Sequence, residues 1–221
     1  MEDRILEAYV GEYASGKSEN AVNRAVALHK QGLEVTLVDL DTVEPCYTLR
    51  PLKKELEALG IKVIAWETSE TVGLGEAGCT IKGEMRWVLR RTGNIIMDVG
   101  YGVHGAAIFN LIEGAWENPW LKIYAVLNVS RPMTSKVEWI VDYIRSLGRV
   151  DGIINNTHMA EETTIDIVNY GTDVISEAAR ILDIPFVATS AVEEVAIQLG
   201  ERDCRGNPVR PLYRYMPKAM W

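Results

Sequence analysis

Apolar residues along the chain occur in short runs that alternate with helical repeats. Residues 5–10 form an apolar run that ends at Gly11, which is typical of a buried strand. In residues 17–31 the apolar positions recur at helical spacing until Gly32. Residues 35–40 are rich in β-branched side chains and predict a second strand. A strand, a glycine-rich loop, a helix and a strand in this order predict a βαβ unit and a parallel sheet.

The same alternation continues along the chain. It predicts helices at residues 52–59, 81–91, 135–147, 163–182 and 191–199. It predicts strands at residues 62–65, 95–98, 123–128, 152–155 and 186–188. The tail, residues 201–221, fits an edge strand or a docked arm. We therefore expect one α/β domain over residues 1–221, with helices on both faces of a mostly parallel sheet.

The charge balance argues against a nucleic-acid partner. The 221 residues carry 31 acidic and 23 basic side chains, a formal net charge of -8, and no basic stripe. Arg86, Arg90 and Arg91 lie at helical spacing, which a solvated helix face explains. No apolar run approaches the roughly 20 residues needed to span a bilayer, so we expect no membrane partner.

Cysteine usage predicts a reducing, cytoplasmic setting. The three cysteines, Cys46, Cys79 and Cys204, are odd in number and form no C-x-x-C pair. Cys79 lies in a glycine-rich loop, where it is either a small structural residue or part of a site shared between subunits.

The segment from Gly11 to Ser18 matches the phosphate-loop pattern G-x-x-x-x-G-K-[ST]. The loop consists of Gly11, Glu12, Tyr13, Ala14, Ser15, Gly16, Lys17 and Ser18, and Glu19 follows it. Its glycines let the backbone curl so that N–H groups face phosphate oxygens, and the helix N-terminus adds positive charge. The pattern assigns Lys17 to the β- and γ-phosphates and the Ser18 hydroxyl to Mg²⁺. It therefore predicts that the loop binds ATP or ADP with Mg²⁺.

Acidic residues close two of the predicted strands. Asp39 and Asp41 end the strand after the loop, and Asp98 ends the strand at residues 95–98, before a glycine-rich turn. A nucleotide-bound Mg²⁺ needs carboxylates at such strand ends. The three aspartates are therefore candidates for the metal and its water shell.

Together these motifs resemble the MinD/ParA/CobQ P-loop ATPases of the SIMIBI class, and in particular a little-characterised bacterial MinD-like group. The resemblance rests on the loop, on Asp39, Asp41 and Asp98 with Gly100, and on residues 38–45, 128–132 and 155–158. It implies that Asp39 and Asp98 hold the magnesium shell and that Asp41 positions the attacking water, with Lys17 as the other catalytic residue.

The resemblance also places the base. Adenine would meet Asn155 or Asn156, and a loop from Pro185 to Ser190 would close over it. No N-K-x-D guanine signature is present, which favours ATP over GTP. Where relatives carry a lysine that reaches across a dimer, this chain has Glu12, which argues against the sandwich-type homodimer. His158 and Arg131 either contact a ligand or partner, or have only a structural role in their loops.

Two functions of different kinds are consistent with these residues. The first is a slow ATPase whose nucleotide-dependent shape is recognised by a protein partner. The second is a CobQ- or dethiobiotin-synthetase-like ligase that phosphorylates a small carboxylate, with its substrate against the loop at residues 68–78. A nucleotide-binding module without hydrolysis is a third alternative.

Overall fold

The computed structural model describes residues 4–41, 49–66 and 81–216. The chain divides into two compact units. The first unit consists of residues 1–10 and 21–122, and the second consists of residues 11–20 and 123–221.

The first unit contains four parallel strands in the order β3-β2-β4-β1. These are β1 (Leu6–Gly11), β2 (Val35–Leu40), β3 (Lys62–Ile64) and β4 (Asn94–Val99). Every residue of β1, β2 and β4 is buried. Strands covered on both faces need near-continuous apolar sequence, which these segments have. The helices of this unit are α2 (Lys53–Ala58), α3 (Gly83–Arg86), α4 (Gly102–Ala106) and most of α1 (Lys17–Lys30), whose first four residues belong to the second unit.

One charged pair lies within the buried part of the first unit. The carboxylate of Glu7, in β1, is 5% exposed as a residue and accepts two hydrogen bonds from the Arg24 guanidinium, at 2.9 and 2.8 Å. It also accepts the hydroxyl proton of Tyr9 at 2.8 Å. A buried carboxylate needs such partners, because an isolated charge is costly away from water.

The second unit contains four parallel strands in the order β5-β6-β7-β8. They are β5 (Leu121–Leu127), β6 (Gly152–Asn155), β7 (Phe186–Val192) and β8 (Val209–Leu212). Its helices are α5 (Val137–Leu147), α6 (Ile165–Leu182) and α7 (Glu193–Leu199). Small apolar side chains of α6, β7 and α7 form one core cluster, which includes Val168, Ala191, Val195 and Ala196.

The structure confirms the α/β class and most predicted elements, and it corrects two of them. The helix predicted at residues 81–91 is wrong as a single element: α3 ends at Arg86, and a separate 3-10 turn follows at Val88–Arg90. Trp87 separates the two, with the guanidinium groups of Arg86 and Arg90 over its ring at 5.2 and 4.2 Å. Helix α4 and the 3-10 turn at Ala107–Leu111 were not predicted.

The second correction concerns the loop predicted from Pro185 to Ser190. From Phe186 onward this segment is strand β7, which runs on to Val192. Its last four residues pair with β8, so the tail supplies the backbone partner that extends the strand. For the tail itself, the edge-strand alternative is confirmed, since β8 is last in the strand order of its unit.

Candidate nucleotide-binding site

The loop between β1 and α1 curls tightly. Ala14 has φ 53° and Gly16 has φ 87°, both in the left-handed region, and the Ser15 N–H donates to the Glu12 carbonyl at 3.3 Å. Within the part of the chain that the structure describes, the main-chain N–H groups of Ala14 and Gly16 donate to no acceptor. A curled loop with open N–H groups is the arrangement that binds an anion.

Lys17 is held across this loop. The residue is 7% exposed, and its Nζ donates to the main-chain carbonyl of Glu12 at 3.0 Å. An ammonium that is held by a backbone carbonyl on a buried residue is already partly desolvated and positioned, so an anionic ligand gains a strong electrostatic partner there. The hydroxyl-bearing Ser18 follows in the first turn of α1 and is half-buried.

Gly11 and Gly16 are the two positions of the loop that require glycine. A Cβ on Gly16 would lie 2.0 Å from Asn156 Nδ2, and a Cβ on Gly11 would lie 2.3 Å from the Val126 carbonyl oxygen. Because Gly16 has no Cβ, the Asn156 side chain can lie against the loop, where its Nδ2 donates to the Ser15 carbonyl at 2.8 Å. Asn156 is 5% exposed, and its Oδ1 accepts no hydrogen bond from the described residues.

A second link joins the start of α1 to β7. Asn20 Nδ2 donates to the Gly16 carbonyl at 2.9 Å, and Ser190 Oγ donates to Asn20 Oδ1 at 2.6 Å. All three residues are buried. Ser190 therefore reaches the loop through Asn20.

The segments that follow β5 and β6 are cross-linked around Asn128. Asn128 Oδ1 accepts from the main-chain N–H groups of Ser130 and His158, and its Nδ2 donates to the His158 carbonyl. Arg131, in the same segment as Asn128, donates its Nε–H to the Ala14 carbonyl at 3.3 Å. These bonds fix His158 and Arg131 beside the curled loop.

His158 is held in its neutral form. Its burial, followed by the positive charges of Arg131 and Arg214, lowers the pKa of the imidazole to about 4. The Ala160 N–H donates to His158 Nδ1 at 3.3 Å, so the ring proton lies on Nε2. His158 thus offers a donor on Nε2 near neutral pH.

A cavity of about 440 Å³ opens beside the loop within the second unit. Gly16 and Glu19 line the cavity, as do the segment after β6, the end of β7 and the start of α7. Leu212, Tyr213 and Arg214 of the tail complete the lining. Glu19 accepts the main-chain N–H groups of Tyr215 and Met216 at 3.0 and 2.7 Å. Burial raises the pKa of the Glu19 carboxyl, while these two bonds and Arg214 act to lower it.

The three predicted aspartates lie in the first unit. Asp39 in β2 and Asp98 in β4 are partners in the parallel register, and both are buried, at 5% and 1% exposure. Asp41 donates its N–H to Asp39 Oδ1 at 3.1 Å. No group of three or more His, Cys, Asp or Glu side chains that could hold a metal occurs in residues 4–41, 49–66 and 81–216.

Of the residues predicted to meet the base, Asn156 and Ser190 line the cavity, and Asn155 and Pro185 do not. Asn155 Nδ2 donates inward, to the Val168 carbonyl and to Thr172 and Thr189 hydroxyls. Pro185 precedes β7, at the opposite end of that strand from Ser190, and its carbonyl accepts the Ile153 N–H.

Several residues at the site were missed in the sequence. They are Asn20, Asn128, Tyr213 and Arg214, together with Gly171 in the middle of α6. A Cβ on Gly171 would lie 2.1 Å from Thr157 Oγ1, so the helix packs directly against the segment that carries His158. A glycine inside an otherwise good helix pattern was the available signal.

Within the described residues, no helix is both long enough and apolar enough to cross a membrane. Cys204 is an exposed free thiol. Cys46, Cys79 and the loop at residues 68–78 lie outside the described residues.

No family model and no curated protein matches this chain. Solved structures do match it. Cell division protein FtsY of Thermotoga maritima has a TM-score of 0.60 and 18% identity, covering 86% of this chain and 62% of that one. The Signal Recognition Particle 54 kDa protein of Aeropyrum pernix K1, solved with GDP, has a TM-score of 0.53 and 19% identity, covering 84% and 41%. FlhF, solved with GTP and Mg²⁺, has a TM-score of 0.52 and 13% identity, covering 83% and 64%.

The likeness shows the fold alone, an α/β fold with a parallel sheet that this chain shares with the three solved structures. The chain spans less than two thirds of the length of each of these three proteins.

Proposed function

We propose that this protein binds ATP with Mg²⁺ on the loop from Gly11 to Ser18, hydrolyses it slowly, and acts as a nucleotide-dependent switch for a protein partner. One observation carries the proposal: the loop combines open N–H groups at Ala14 and Gly16 with the buried ammonium of Lys17. N–H donors and an ammonium group together bind the oxygens of a polyphosphate, and the cavity beside the loop has room for a nucleoside.

The residue types in these motifs also suit a magnesium ion. Mg²⁺ takes oxygen ligands, keeps several waters, and needs one or two carboxylates besides the phosphates. Ser18 supplies the hydroxyl that the loop pattern assigns to the metal, and Asp39 and Asp98 are buried aspartates that lie opposite each other on β2 and β4. We assign Ser18, Asp39 and Asp98 to the metal and its water shell from their motifs. When bound, Mg²⁺ would supply positive charge that offsets the charge of the phosphates.

For the chemical step we assign Lys17 and Asp41. Lys17 stabilises the negative charge on the transferred phosphoryl group, and Asp41 orients the attacking water. The water oxygen bonds to the γ-phosphorus while the bond from that phosphorus to the ADP oxygen breaks, and the water proton leaves with phosphate. Glu12 stands where related ATPases carry a lysine, so we expect slow turnover, as suits a switch.

For the base we assign Asn156 and not Asn155, whose amide is already bonded inside the protein. Asn156 Oδ1 is available to accept the exocyclic N–H of adenine. His158 adds an Nε2 donor for a ring nitrogen. In an N-K-x-D motif the aspartate accepts from guanine, and residues 155–158 end in this histidine instead. We therefore propose ATP, although the similar solved structures hold GDP and GTP.

Nucleotide titrations and phosphate release test this function together. We expect Mg·ATP to bind at least about tenfold more tightly than Mg·GTP, a difference of about 1.4 kcal/mol. Phosphate release from ATP should be slow and should not depend on an added small carboxylic acid. Tighter binding of GTP would overturn the base assignment, and turnover only with an added acid would replace the switch by the ligase alternative.

A further inference from the structure

The tail beyond β8 forms one side of the cavity. Strand β8 pairs with β7 as far as Leu212, which lies opposite Val192. Tyr213 and Arg214 follow directly and line the cavity together with Gly16 of the loop. The sequence pattern alone assigns this tail no role.

Residues 213–216 are fastened to the segment that carries the phosphate loop. Glu19, the residue after Ser18, accepts the N–H groups of both Tyr215 and Met216. Two main-chain donors on one buried carboxylate make a specific attachment that a random surface contact does not provide. The position of the tail is therefore tied to the first turn of α1.

A second attachment crosses to the segment after β6. Arg214 Nη1 lies 3.3 Å from Glu161 Oε1. The same guanidinium is close enough to act electrostatically on both Glu19 and His158. Arg214 thus lies among three residues that line the cavity.

The chemistry of the cavity suits the nucleoside part of a nucleotide. Besides Glu19, the acidic residues Glu161, Glu193 and Glu194 line it. Their negative charge disfavours phosphate, and carboxylates accept hydrogen bonds from ribose hydroxyls or an exocyclic amine. Tyr213 is 64% exposed and packs edge-on against Tyr215 at 4.9 Å. An exposed aromatic ring at a cavity is a surface on which a base stacks.

We propose that residues 212–216 are the outer wall of the nucleoside pocket, with Tyr213 stacking on the base and Arg214 closing the ribose side. This inference rests on the proposed nucleotide-binding function and adds the tail to that site. The ligand class is a purine nucleoside triphosphate, whose phosphates bind the loop and whose nucleoside contacts the tail.

The test compares Mg·ATP with Mg·tripolyphosphate, which has the phosphates without the nucleoside. Calorimetric titrations use the full chain with Tyr213→Ala and Arg214→Ala. We expect Tyr213→Ala to weaken ATP binding about tenfold, the order of one lost base stack, and to leave tripolyphosphate binding unchanged. Tyr213→Phe, which keeps the ring, should bind ATP as the wild type does.

Matched controls are available on α6. Tyr170 is 60% exposed, close to the exposure of Tyr213, and Arg180 forms an exposed ion pair with Glu177. Tyr170→Ala and Arg180→Ala should leave both dissociation constants unchanged. If Tyr213→Ala and Arg214→Ala match these controls, or weaken ATP and tripolyphosphate equally, the tail is not part of the nucleoside pocket.

Lys17→Ala separates this inference from the function on which it rests. Loss of both ligands in Lys17→Ala together with neutral tail variants would overturn the tail assignment alone. Unchanged binding of both ligands in Lys17→Ala would overturn the phosphate site, and the proposed function with it.

Discussion

The side-chain amide of Asn156 donates a hydrogen bond to the main-chain carbonyl of Ser15 at 2.8 Å, across 141 positions of sequence. The bond ties the segment after β6 to the middle of the phosphate loop. It uses the amide nitrogen and leaves Oδ1 for a ligand. The side chain that holds the loop therefore also carries the oxygen that we assign to the base.

Asn156→Asp should remove the Nδ2 donor of this side chain with almost no change in its size. A carboxylate oxygen would face the Ser15 carbonyl in place of a donor, so repulsion between two oxygens would replace the hydrogen bond. We expect a loss of about 1–3 kcal/mol in the free energy of unfolding and at least tenfold weaker ATP binding. Urea unfolding and ATP titration measure the two effects. Asn110→Asp is the control, because Asn110 is exposed and uses its Oδ1 as an acceptor; equal effects at both positions would contradict this role of the hydrogen bond to Ser15.

Gly16→Ala tests the close approach to Asn156. The new Cβ would meet Asn156 Nδ2 at 2.0 Å, so the loop or the Asn156 side chain must move, and we expect ATP binding to be lost. Gly32→Ala is a matched control, since Gly32 has φ 82° against 87° at Gly16 but no atom within 4 Å of its Cβ position. It should cost only the backbone strain, about 1 kcal/mol, with normal ATP binding. Normal ATP binding in Gly16→Ala would show that the loop does not need this contact.

The low pKa of His158 predicts a stability that depends on pH. In the folded protein the pKa is about 4, below the ordinary value of 6.5, so the unfolded chain binds more protons between these values. The stabilisation is complete above pH 6.5 and is lost as the pH falls toward 4. Between pH 7 and pH 5 this group should cost about 2 kcal/mol. His158→Gln removes the titration, so its free energy of unfolding should fall by less over this range; an equal fall would refute the assignment.

The buried pair of Glu7 and Arg24 should behave differently from the surface pairs. Arg24→Leu leaves the Glu7 carboxylate buried without its guanidinium partner and should cost about 3 kcal/mol. The double variant Glu7→Leu, Arg24→Leu should recover most of that loss, because no charge remains in the core. Arg180→Leu, at an exposed pair, should lower the free energy of unfolding far less than Arg24→Leu does, because water and salt screen that pair. Denaturant unfolding of the wild type, both single variants and the double variant gives the interaction free energy between Glu7 and Arg24. Losses in the free energy of unfolding that simply add would contradict this interaction.

Local pattern predicted much of this fold. Residues 35–40 and 152–155 are strands with the predicted bounds, and α1 begins at Lys17 as its pattern indicates. The prediction of one helix at residues 81–91 failed because helical spacing does not reveal that Trp87 contacts two arginines in a break between short elements. β7 was predicted too short because its partner, β8, comes from a tail with no strong strand pattern.

The site could be predicted only where chemistry is local in sequence. Gly11, Gly16 and Lys17 stand in one motif, and the structure places them in one curled loop. Asn20 with Ser190, and Glu19 with Tyr215, meet only after folding, so no spacing rule could find them. The single domain over residues 1–221, the cytoplasmic setting and the absence of a sandwich-type homodimer stay predictions.

A calorimetric titration of Mg·ATP into wild-type protein and Lys17→Ala tests the central claim most directly. Lys30→Ala is the control, because Lys30 is an exposed lysine at the end of the same helix. We predict saturable binding at one site per chain in the wild type and in Lys30→Ala, and binding at least about 100-fold weaker in Lys17→Ala, about 2.7 kcal/mol. Equal affinity in all three proteins would show that the loop from Gly11 to Ser18 does not hold the nucleotide.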